Sequence, residues 1–444
     1  MKIKFPNIEQ DDLEYAIGCL EECKQEHAQR FGFNYPYFMP GGASYGAQWW
    51  QLDSSLALSG YKWVSRELAQ TALLNFIESQ KEDGRICLWG ADDLPQSVAG
   101  GNTLAQTKGV SSLPKLFDVA YHVLQGTTDS QLWAATYNML KRYLDWWFSA
   151  RQDQKTGLIT AVFEETFIPY LGSAGEYAPV DTNVEVYVGC HYTETLARRL
   201  GKTEDAMQIA ERKLCLRQSI NRYLWNDERG AYFPYYIKEE RHSECLMAQT
   251  FFPLRMGIAD SDKQKRLCEL LVSDEHFNWN GIPLTSVAKT DAAFVTTKGR
   301  YQGNASWSGN VWTLINEMVV RGLCDCGENE LAAALAVKTL YAFNRNPAEF
   351  INPFDGEGHG VLRYAWSASQ YMELMIEVIF GVKYEADKSL VTVSPRLTGE
   401  LRSERLELKE LCVAEGAYID IVIDNGVVSC SASTDNITVV YKEV

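Results

Sequence analysis

Stretches with the periodicity of an amphipathic helix recur along most of this 444-residue chain. In residues 61–80 the apolar side chains follow the i, i+3, i+4, i+7 spacing that places them on one face of a helix. These side chains are Trp63, Val64, Leu68, Ala72, Leu73 and Phe76. The same pattern predicts helices over 8–31, 61–80, 112–126, 130–150, 181–200, 203–223, 245–257, 262–273, 309–323, 329–344 and 366–381. Because each such helix must bury its apolar face, the chain has to pack many helices against one another.

Long non-helical stretches rich in Gly, Pro, Asn, Trp and Tyr separate these helices. They span 33–54, 84–110, 158–180, 276–308 and 345–365. A helix, a turn and a second helix repeat about five or six times, as in an α/α toroid, where inner and outer helices form two concentric rings. No strict sequence period is present, which argues against a solenoid. We therefore predict an all-α fold, an (α/α)6 barrel, over residues 1–382, with functional residues on its loops.

The pattern changes after Gly381. The segments SLVTVSPRL, RLELKELCV, AYIDIVIDNGVVSCSAS and ITVVYKEV alternate apolar and polar residues, as strands do. Asp424-Asn425-Gly426 is typical of a hairpin turn. We predict a small antiparallel β appendage over residues 383–444.

The charge of the chain restricts its partners. A formal net charge of -16, with no cluster of basic residues, argues against a nucleic-acid partner and favours a neutral or weakly polar substrate. The amino terminus lacks the apolar core of a signal peptide, and no run of about 18 apolar residues follows it. We expect a cytoplasmic protein that does not insert into a membrane; the sequence leaves its oligomeric state open.

Metal and cofactor motifs are missing from the sequence. The eleven cysteines have irregular spacing, which predicts free thiols, and the pair Cys324 and Cys326 has no nearby histidine to complete a zinc site. The six histidines are more typical of core or surface positions than of a catalytic set. No P-loop, Rossmann glycine fingerprint or HExxH motif occurs. We predict no metal site and no cofactor.

Residues 347–370 carry the strongest indication of function. They read PAEFINPFDGEGHGVLRYAWSASQ, a Gly/Pro-rich loop between two apolar helical stretches, with carboxylates beside aromatic residues. Aromatic faces stack on the C–H faces of a sugar, while carboxylates accept hydrogen bonds from its hydroxyls. This combination predicts a carbohydrate site.

The same segment resembles the ENYNP-TGEG-FSWSAA segment of glycoside hydrolase family 63 and the related α-toroid trehalases. Three other blocks resemble that family in the same order: YPYFMPGGASYGAQWWQLDSSLALSG, PVDTNVEVYVGCHYTETLARRLG and WSGNVWTLINEMVVRGL. The resemblance covers roughly residues 35–381. It implies an α-toroid glycosidase, and the compact members of the group hydrolyse glucosylglycerate or mannosylglycerate.

The resemblance also implies roles for four carboxylates. Glu349 falls on the family's general base, which polarises the attacking water. The family's general acid is an aspartate, but this chain reads AVFEETFIP at that place, so Glu165, or its neighbour Glu164, would have to donate the proton. Apolar neighbours in this segment would desolvate the carboxyl group and raise its pKa. Asp53 matches the aspartate that holds sugar hydroxyls, although it could instead cap a helix.

Further residues are candidates for contact with the substrate. Arg363, together with Arg85 and Lys108, could face an acidic aglycone. Ser308 departs from the family, which has arginine before its Gly-x-x-Trp motif. The other candidates for the walls and contacts of a sugar site are Trp49, Trp50, Trp89, Gln106, Trp307, Trp312, Glu357 and Trp366. Core packing is an equally good interpretation of any one of these tryptophans.

The resemblance implies an exo-acting α-glycosidase, α-glucosidase-like and anomer-inverting, for a small α-glycoside or oligosaccharide. Inversion needs two opposed carboxyl groups about 6.5–9.5 Å apart, and retention needs about 5–5.5 Å. A hydrolase of glucosylglycerate or mannosylglycerate is the alternative closest to this prediction. A sugar epimerase, a lyase or an inactive sugar-binding toroid are further alternatives, because α-toroids host several functions.

Overall fold

The computed structural model describes residues 1–27, 32–45, 48–90, 109–162, 164–167, 176–296 and 307–442. Its longer helices are α1 (Gln10–Cys23), α2 (Gln51–Tyr61), α3 (Arg66–Ser79), α4 (Leu116–Leu124), α5 (Ser130–Ala150), α6 (Val180–Arg199), α7 (Thr203–Ser219), α8 (Ala248–Gly257, with 3-10 geometry), α9 (Ser261–Leu271), α10 (Thr313–Asp325), α11 (Asn329–Phe343) and α12 (Ala365–Glu373). Two π-helical segments, Ile220–Leu224 and Leu374–Ile379, continue α7 and α12. Short helices span Gly42–Tyr45, Asp274–Phe277, Ala386–Lys388 and Leu401–Ser403.

Alternate helices close into a ring. Helix α2 contacts α4, and contacts continue from α4 to α6, α8, α10 and α12, which returns to α2. Outside this ring, α1 packs on α12, α7 on α6 and α11 on α10. Two concentric layers of helices are the architecture of an α-toroid. Among the described residues, no helix combines the length and apolar character needed to cross a membrane.

Helices of the inner ring are buried on almost every side. All eleven residues of α2, QLDSSLALSGY, are buried, and so are all nine of α12. A helix without a solvent face needs no apolar stripe, so its sequence carries little helical period. For this reason the sequence pattern assigned most of α2 to no helix and its first residues to the loop 33–54.

Several predicted helices differ in extent or geometry from those observed. The helix predicted over 8–31 ends at Cys23, because Lys24–Gln25 forms a strand with Tyr37–Phe38. The helix predicted over 61–80 begins only at Arg66, after the end of α2. The segment predicted as helix 245–257 has 3-10 geometry.

The inner ring also contains a network of buried charged side chains. Lys115 Nζ lies 3.0 Å from Asp118 Oδ2 and 3.4 Å from Glu317 Oε2. Arg321 Nε binds Glu317 Oε1 at 3.1 Å, and its Nη2 binds Glu377 Oε2 at 2.8 Å. We call this set the ring network. Its members are Lys62, Lys115, Asp118, Arg255, Glu317, Arg321 and Glu377.

The strands predicted after Gly381 are present, and they form two sheets. One has the order Lys2–Lys4, Arg405–Ala414, Ala417–Asp424, Val427–Ala432 and is antiparallel throughout. The other joins Val382–Glu385, Leu390–Val393 and Thr438–Tyr441, and its last pair is parallel rather than antiparallel. The inward residues of these strands belong to the same apolar core as the helices. Paired two-residue strands occur elsewhere at Lys24–Gln25, Tyr37–Phe38, Tyr177–Ala178, Trp225–Asn226, Ala231–Tyr232, Tyr235–Tyr236, Arg241–His242, Phe350–Ile351 and Gly358–His359.

Candidate active site

The candidate site lies where helices of the inner ring begin. Asp53 is in the first turn of α2, while Trp312 and Tyr364 immediately precede α10 and α12. Glu349 precedes the strand Phe350–Ile351, which bonds through Ile351 to the residue before Trp312. The helix starts therefore bring residues from distant parts of the sequence to one end of the ring.

Glu349 is held in one position by its surroundings. It is buried, its Oε1 accepts a hydrogen bond from the Tyr45 hydroxyl at 3.1 Å, and its Oε2 accepts one from the Val361 N–H at 3.1 Å. Gly360 packs against this carboxylate so closely that a Cβ there would lie 2.3 Å from Oε2. Its φ of +70° also favours glycine. A fixed carboxylate of this kind suits a group that must aim at a reacting atom.

Asp53 is buried beside the same group. Its Oδ1 accepts a hydrogen bond of 2.6 Å from the Tyr364 hydroxyl. Burial raises the pKa of Asp53 to about 7, the Tyr364 hydrogen bond opposes this rise, and repulsion from Glu349 and Glu164 adds to it. The rings of Tyr45 and Tyr364, whose hydroxyls donate to Glu349 and Asp53, have centroids 6.2 Å apart, so these two carboxylates share one site, and the repulsion indicates that Glu164 is near it.

Glu164 and Glu165 are adjacent, yet they have different surroundings. The Glu165 carboxylate is fully buried and binds Arg151 through both oxygens, at 2.7 and 2.8 Å. It also accepts hydrogen bonds from the N–H groups of Ser111, at 2.9 Å, and Val162, at 3.1 Å. Burial raises its pKa, and Arg151 opposes that rise. Glu165 therefore anchors the loop, and its oxygens are already occupied by protein donors.

Glu164, by contrast, forms no side-chain hydrogen bond to any residue the structure describes. Its backbone has a φ of +68°, a conformation that residues other than glycine rarely adopt, and its carbonyl accepts from the Leu113 N–H at 3.0 Å. Burial raises the pKa of Glu164 to about 7, and repulsion from Glu349 contributes to the rise. A carboxyl group with this pKa keeps a proton near neutral pH and can donate it.

Asp181 anchors the other side of this loop. Its carboxylate accepts hydrogen bonds of 2.9 Å from the Thr166 hydroxyl and from the Phe167 N–H, and one of 3.0 Å from the Gln249 amide. Burial raises its pKa to about 6. Pro179 is the N-cap of helix α6, and Asp181 is the second residue of that helix.

Aromatic side chains form a continuous wall from this loop to Asp53. Phe167 stacks on Trp307 with centroids 4.8 Å apart, and Trp307 stacks on Trp312 at 3.5 Å with an angle of 4°. Trp366 lies 5.9 Å from Trp312 and 4.8 Å from Tyr364, which bonds to Asp53. This wall gives the carboxylates an apolar boundary.

Trp50 and Trp89 lie on another side of the same site. Trp50 contacts the ring of Tyr45 at 6.1 Å, and Tyr45 binds Glu349. The backbones of Trp50 and Trp89 pair as a β-bridge, and Trp89 is buried. These two tryptophans therefore support the position of Tyr45.

Three predicted site residues point elsewhere. Trp49 packs in the core against Phe33, at 5.1 Å, and Phe76, at 5.3 Å. Arg363 forms an ion pair with Glu22 of the outer helix α1, at 2.5 Å, so it does not reach the carboxylates. The side chain of Glu357 is 64% exposed.

The remaining candidates fall into two groups. Arg85 is buried, and its Nη1 donates to the carbonyl of Val110 at 3.1 Å. Gln106 and Lys108 lie outside the described residues. Ser308, which departs from the family pattern, is buried next to the aromatic wall.

The sequence reasoning did not select four residues that position these carboxylates. Tyr45 and Tyr364 donate hydrogen bonds to Glu349 and Asp53, and Arg151 and Asp181 hold the loop of Glu164. Tyr364 directly precedes Ala365-Trp366 in the segment that predicted the site, so its position was a usable signal. No local pattern marks Arg151, which ends an ordinary amphipathic helix.

Comparison with known proteins identifies the family. Residues 46–166 and 168–367 match the family described as mannosylglycerate hydrolase MGH1-like glycoside hydrolase domain. The chain belongs to the MGH1-like glycoside hydrolase family. This membership confirms the resemblance to glycoside hydrolase family 63 and its trehalase-like relatives.

Individual relatives of this MGH1-like protein agree with that assignment. The mannosylglycerate hydrolase of Rubrobacter radiotolerans is 27% identical over 186 residues, which are 41% of this chain and 40% of that protein. The chain thus spans less than half the length of this curated relative.

Two solved structures share the fold. The GH63 mannosylglycerate hydrolase from Thermus thermophilus, in complex with Tris and D-glycerate, has a TM-score of 0.68 at 19% identity, covering 82% of this chain and 100% of its own. Neutral trehalase Nth1 from Saccharomyces cerevisiae has a TM-score of 0.60 at 15% identity, covering 82% and 79%.

Proposed function

We propose that this MGH1-like protein is an exo-acting α-glycosidase that inverts the anomeric configuration of a small α-glycoside. The observation that carries the proposal is the grouping of Glu349 and Asp53, which accept hydrogen bonds from two tyrosines whose ring centroids lie 6.2 Å apart, with Glu164, whose pKa is raised by repulsion from Glu349. Two carboxyl groups whose surroundings separate their proton affinities provide an acid and a base in glycoside hydrolysis.

In this mechanism Glu164 rather than Glu165 is the general acid. Glu164 is partly buried, and its pKa of about 7, raised by desolvation and by repulsion from Glu349, keeps a proton on it near neutral pH, whereas Glu165 is engaged by Arg151. The proton passes from Glu164 to the glycosidic oxygen as the bond to the anomeric carbon breaks. The sequence alone favoured Glu165, and its bidentate ion pair is the reason for the change.

Glu349 is the general base. Its carboxylate is oriented by Tyr45 and by the Val361 N–H, and it takes a proton from the water that attacks the anomeric carbon from the opposite side. Asp53 holds sugar hydroxyls, and the wall containing Trp307 and Trp312 packs against the sugar. A buried acceptor such as Asp53 discriminates against sugars that lack the matching hydroxyl.

For the substrate, we propose an α-glycoside as small as glucosylglycerate or mannosylglycerate, with an α-glucoside as the alternative. The names of the relatives support the first choice. We also propose six helix pairs for the barrel, supported by the closed ring from α2 to α12. Three statements remain predictions: that the barrel extends to residue 382, that the protein is cytoplasmic, and that it has no nucleic-acid partner.

Proton NMR tests the reaction. We would incubate the protein with mannosylglycerate, glucosylglycerate and a panel of α-gluco-, α-manno- and α-galactosides, and follow the first sugar anomer released. The β-anomer is the expected product. Initial release of the α-anomer would contradict inversion, and an isomerised or unsaturated product would contradict hydrolysis.

The variant Glu349→Gln separates catalysis from folding. We expect turnover to fall by about 10³-fold, the contribution of a general base, while circular dichroism remains unchanged. Glu357→Gln is the matched control, since Glu357 is exposed in the same segment and should tolerate the change. Wild-type turnover by Glu349→Gln would refute the assignment of the base.

A further inference from the structure

A second cavity lies at the opposite end of the inner ring from the candidate site. It has a volume of about 280 Å³ and is bounded by residues at or just beyond the ends of α2, α4 and α10, together with residues of the strands Val382–Glu385 and Leu390–Val393. This cavity thus lies between the toroid and the smaller β-sheet. Its size is near the lower limit for a small-molecule site.

Basic side chains dominate the lining of this cavity. They are Lys62, Arg66, Arg255, Arg321, Lys383 and Arg396, whereas the acidic lining residues are Asp325 and Glu377. This excess of cations is unexpected in a chain with a net charge of -16. A concave surface lined by one sign of charge concentrates ions of the other sign.

Some of these cations are neutralised within the protein. Lys62 Nζ lies 2.6 Å from Glu377 Oε1, and Arg255 Nε lies 2.9 Å from Asp325 Oδ2. Arg321 belongs to the ring network through the same Glu377. These residues set the shape of the cavity but offer little free charge.

Arg66 differs from them. No described residue accepts a hydrogen bond from its guanidinium, whose Nε and Nη2 atoms are buried. The group lies between two aromatic rings, 4.4 Å from the centroid of Trp63 and 4.9 Å from that of Tyr384. Burial lowers the pKa of Arg66 to about 10, so the group remains charged at neutral pH. A cation that is largely removed from water and has no ion-pair partner is costly, and an anion bound in the cavity that Arg66 lines would lower that cost.

Two further cations leave charge available in the same cavity. Arg396 Nε donates to the neutral amide oxygen of Asn329 at 2.8 Å, so no carboxylate neutralises it there. The Lys383 side chain is 55% exposed and lies 3.5 Å from Glu385. With Arg66, these residues provide charge for an anion with more than one negative charge.

We propose that this cavity binds the phosphate group of a small phosphate monoester, with Arg66 as its principal ligand. The dianionic phosphate matches the several cations of the lining better than a carboxylate with a single charge, and guanidinium groups bind phosphate oxygens well. The stacking of Arg66 between Trp63 and Tyr384 holds the guanidinium in place before the anion arrives. The site is separate from the carboxylates of the candidate active site, which lie at the other end of the inner ring. It does not depend on the proposed glycosidase activity.

Isothermal titration calorimetry tests the site. The probes are inorganic phosphate, glycerol 3-phosphate and D-glycerate, titrated into the full chain at low salt. We expect glycerol 3-phosphate to bind with a submillimolar Kd, at least tenfold more tightly than glycerate. Equal binding of inorganic phosphate and glycerol 3-phosphate would make free phosphate the ligand and overturn the monoester assignment. Tighter binding of glycerate would overturn the phosphate assignment.

Variants locate the site. Arg66→Gln should raise the Kd for glycerol 3-phosphate at least tenfold, and Lys383→Gln should raise it about threefold. Lys265→Gln, at a side chain that is 77% exposed and does not line the cavity, is the control and should leave the Kd unchanged. Should Arg66→Gln fail to fold, Arg396→Gln replaces it, with the same tenfold expectation.

An unchanged Kd in both Arg66→Gln and Arg396→Gln would overturn the proposal. A Kd that rises in Glu349→Gln but not in these variants would assign the phosphate to the carboxylate site instead. The glycosidase assay does not enter this test, so failure of one proposal leaves the other intact.

Discussion

Carboxyl groups of the candidate site and of the ring network are both largely removed from water. Their pKa values are nevertheless shifted in opposite directions from the ordinary value. Burial raises the pKa of Asp53 and of Glu164 to about 7. The cations Lys62 and Arg321, however, overcome burial and hold the pKa of Glu377 at about 2. Lys115 and Arg255 likewise hold the pKa of Asp118 well below its usual value.

Glu185 lies beside the ring network but has a raised pKa, as the carboxyl groups of the candidate site do. It lies in the inner ring, but its Oε2 is 4.0 Å from Lys115 Nζ, and burial raises its pKa to about 7 in spite of Lys115. Depth alone therefore does not decide whether a carboxyl group is charged. A close cation can hold a buried carboxyl group in its charged form, as Lys62 and Arg321 do for Glu377, whereas burial still raises the pKa of Glu165 beside Arg151.

The largest expected effect separates the neighbours Glu164 and Glu165. Glu164→Gln should lower kcat by about 10³-fold, because it removes the proton donor, with little loss of stability. Glu165→Gln should instead lower the free energy of unfolding by about 3 kcal/mol, because Arg151 loses its buried partner. Urea unfolding and steady-state kinetics on both variants measure this. If both variants lost the same factor in kcat and had the same free energy of unfolding, the two glutamates would not have different roles.

Breaking the ring network should affect stability without affecting chemistry. Lys115→Met leaves Asp118 and Glu317 without their shared cation, and we expect a loss of about 3–5 kcal/mol in the free energy of unfolding. Lys265→Met, at an exposed side chain, should stay within about 0.5 kcal/mol. Denaturant unfolding provides the values, and KM of the folded fraction should be unchanged. A stable Lys115→Met protein would show that the network contributes little.

Gly360 tests how precisely Glu349 must be held. Gly360→Ala places a methyl group against Oε2 and forces a positive φ on alanine, so kcat should fall by about 10²-fold through displacement of the carboxylate. The matched control is Gly399→Ala, where an added Cβ meets nothing within 4 Å. Kinetics on both proteins measure the difference; unaltered kcat in Gly360→Ala would mean that the carboxylate tolerates displacement.

The smallest expected effect is on the pH dependence of stability. A carboxyl group of the candidate site and one of the ring network should contribute to this dependence with opposite signs. The folded chain keeps the proton on Glu164 up to about pH 7, whereas the unfolded chain releases it near pH 4.5, so this group lowers stability as pH rises between these values. Glu164→Gln should therefore raise Tm by about 2–4 °C at pH 8 and much less at pH 4.5.

Glu377 provides the contrast. Its folded pKa of about 2 lies below the unfolded value of 4.5, so it stabilises the protein above pH 4.5, and this contribution disappears as pH falls toward 2. Glu377→Gln should lower Tm at pH 8. Thermal unfolding of both variants from about pH 2 to pH 8 is the measurement, and shifts of the same sign would contradict the comparison.

Much of the fold follows from sequence periodicity, and the exceptions have a common cause. Outer helices such as α3 expose one face, so their apolar stripe is visible in the sequence. Helix α2 is buried on all sides, and its mixture of serine and leucine carries no stripe. The parallel pairing of Leu390–Val393 with Thr438–Tyr441 depends on contacts across the sheet that a local pattern does not contain.

The candidate site was predictable to the extent that its residues lie in recognisable segments. Asp53 and Glu349 stood in such segments, and the structure places both near Glu164. The choice between Glu164 and Glu165 was not predictable, because it depends on Arg151, which is distant from any motif. Arg363 was misassigned because its partner Glu22 lies 341 residues earlier in the sequence.

The strand Lys2–Lys4 has a consequence for how the chain is made. It pairs with Arg405–Ala414, and the Lys2 side chain forms an ion pair with Glu410, which lies 408 positions later in the chain. During synthesis on the ribosome the strand Lys2–Lys4 must therefore wait, with its edge unpaired, until the strand Arg405–Ala414 has emerged. Completion of this sheet can then act as a late folding step that joins two distant segments of the chain.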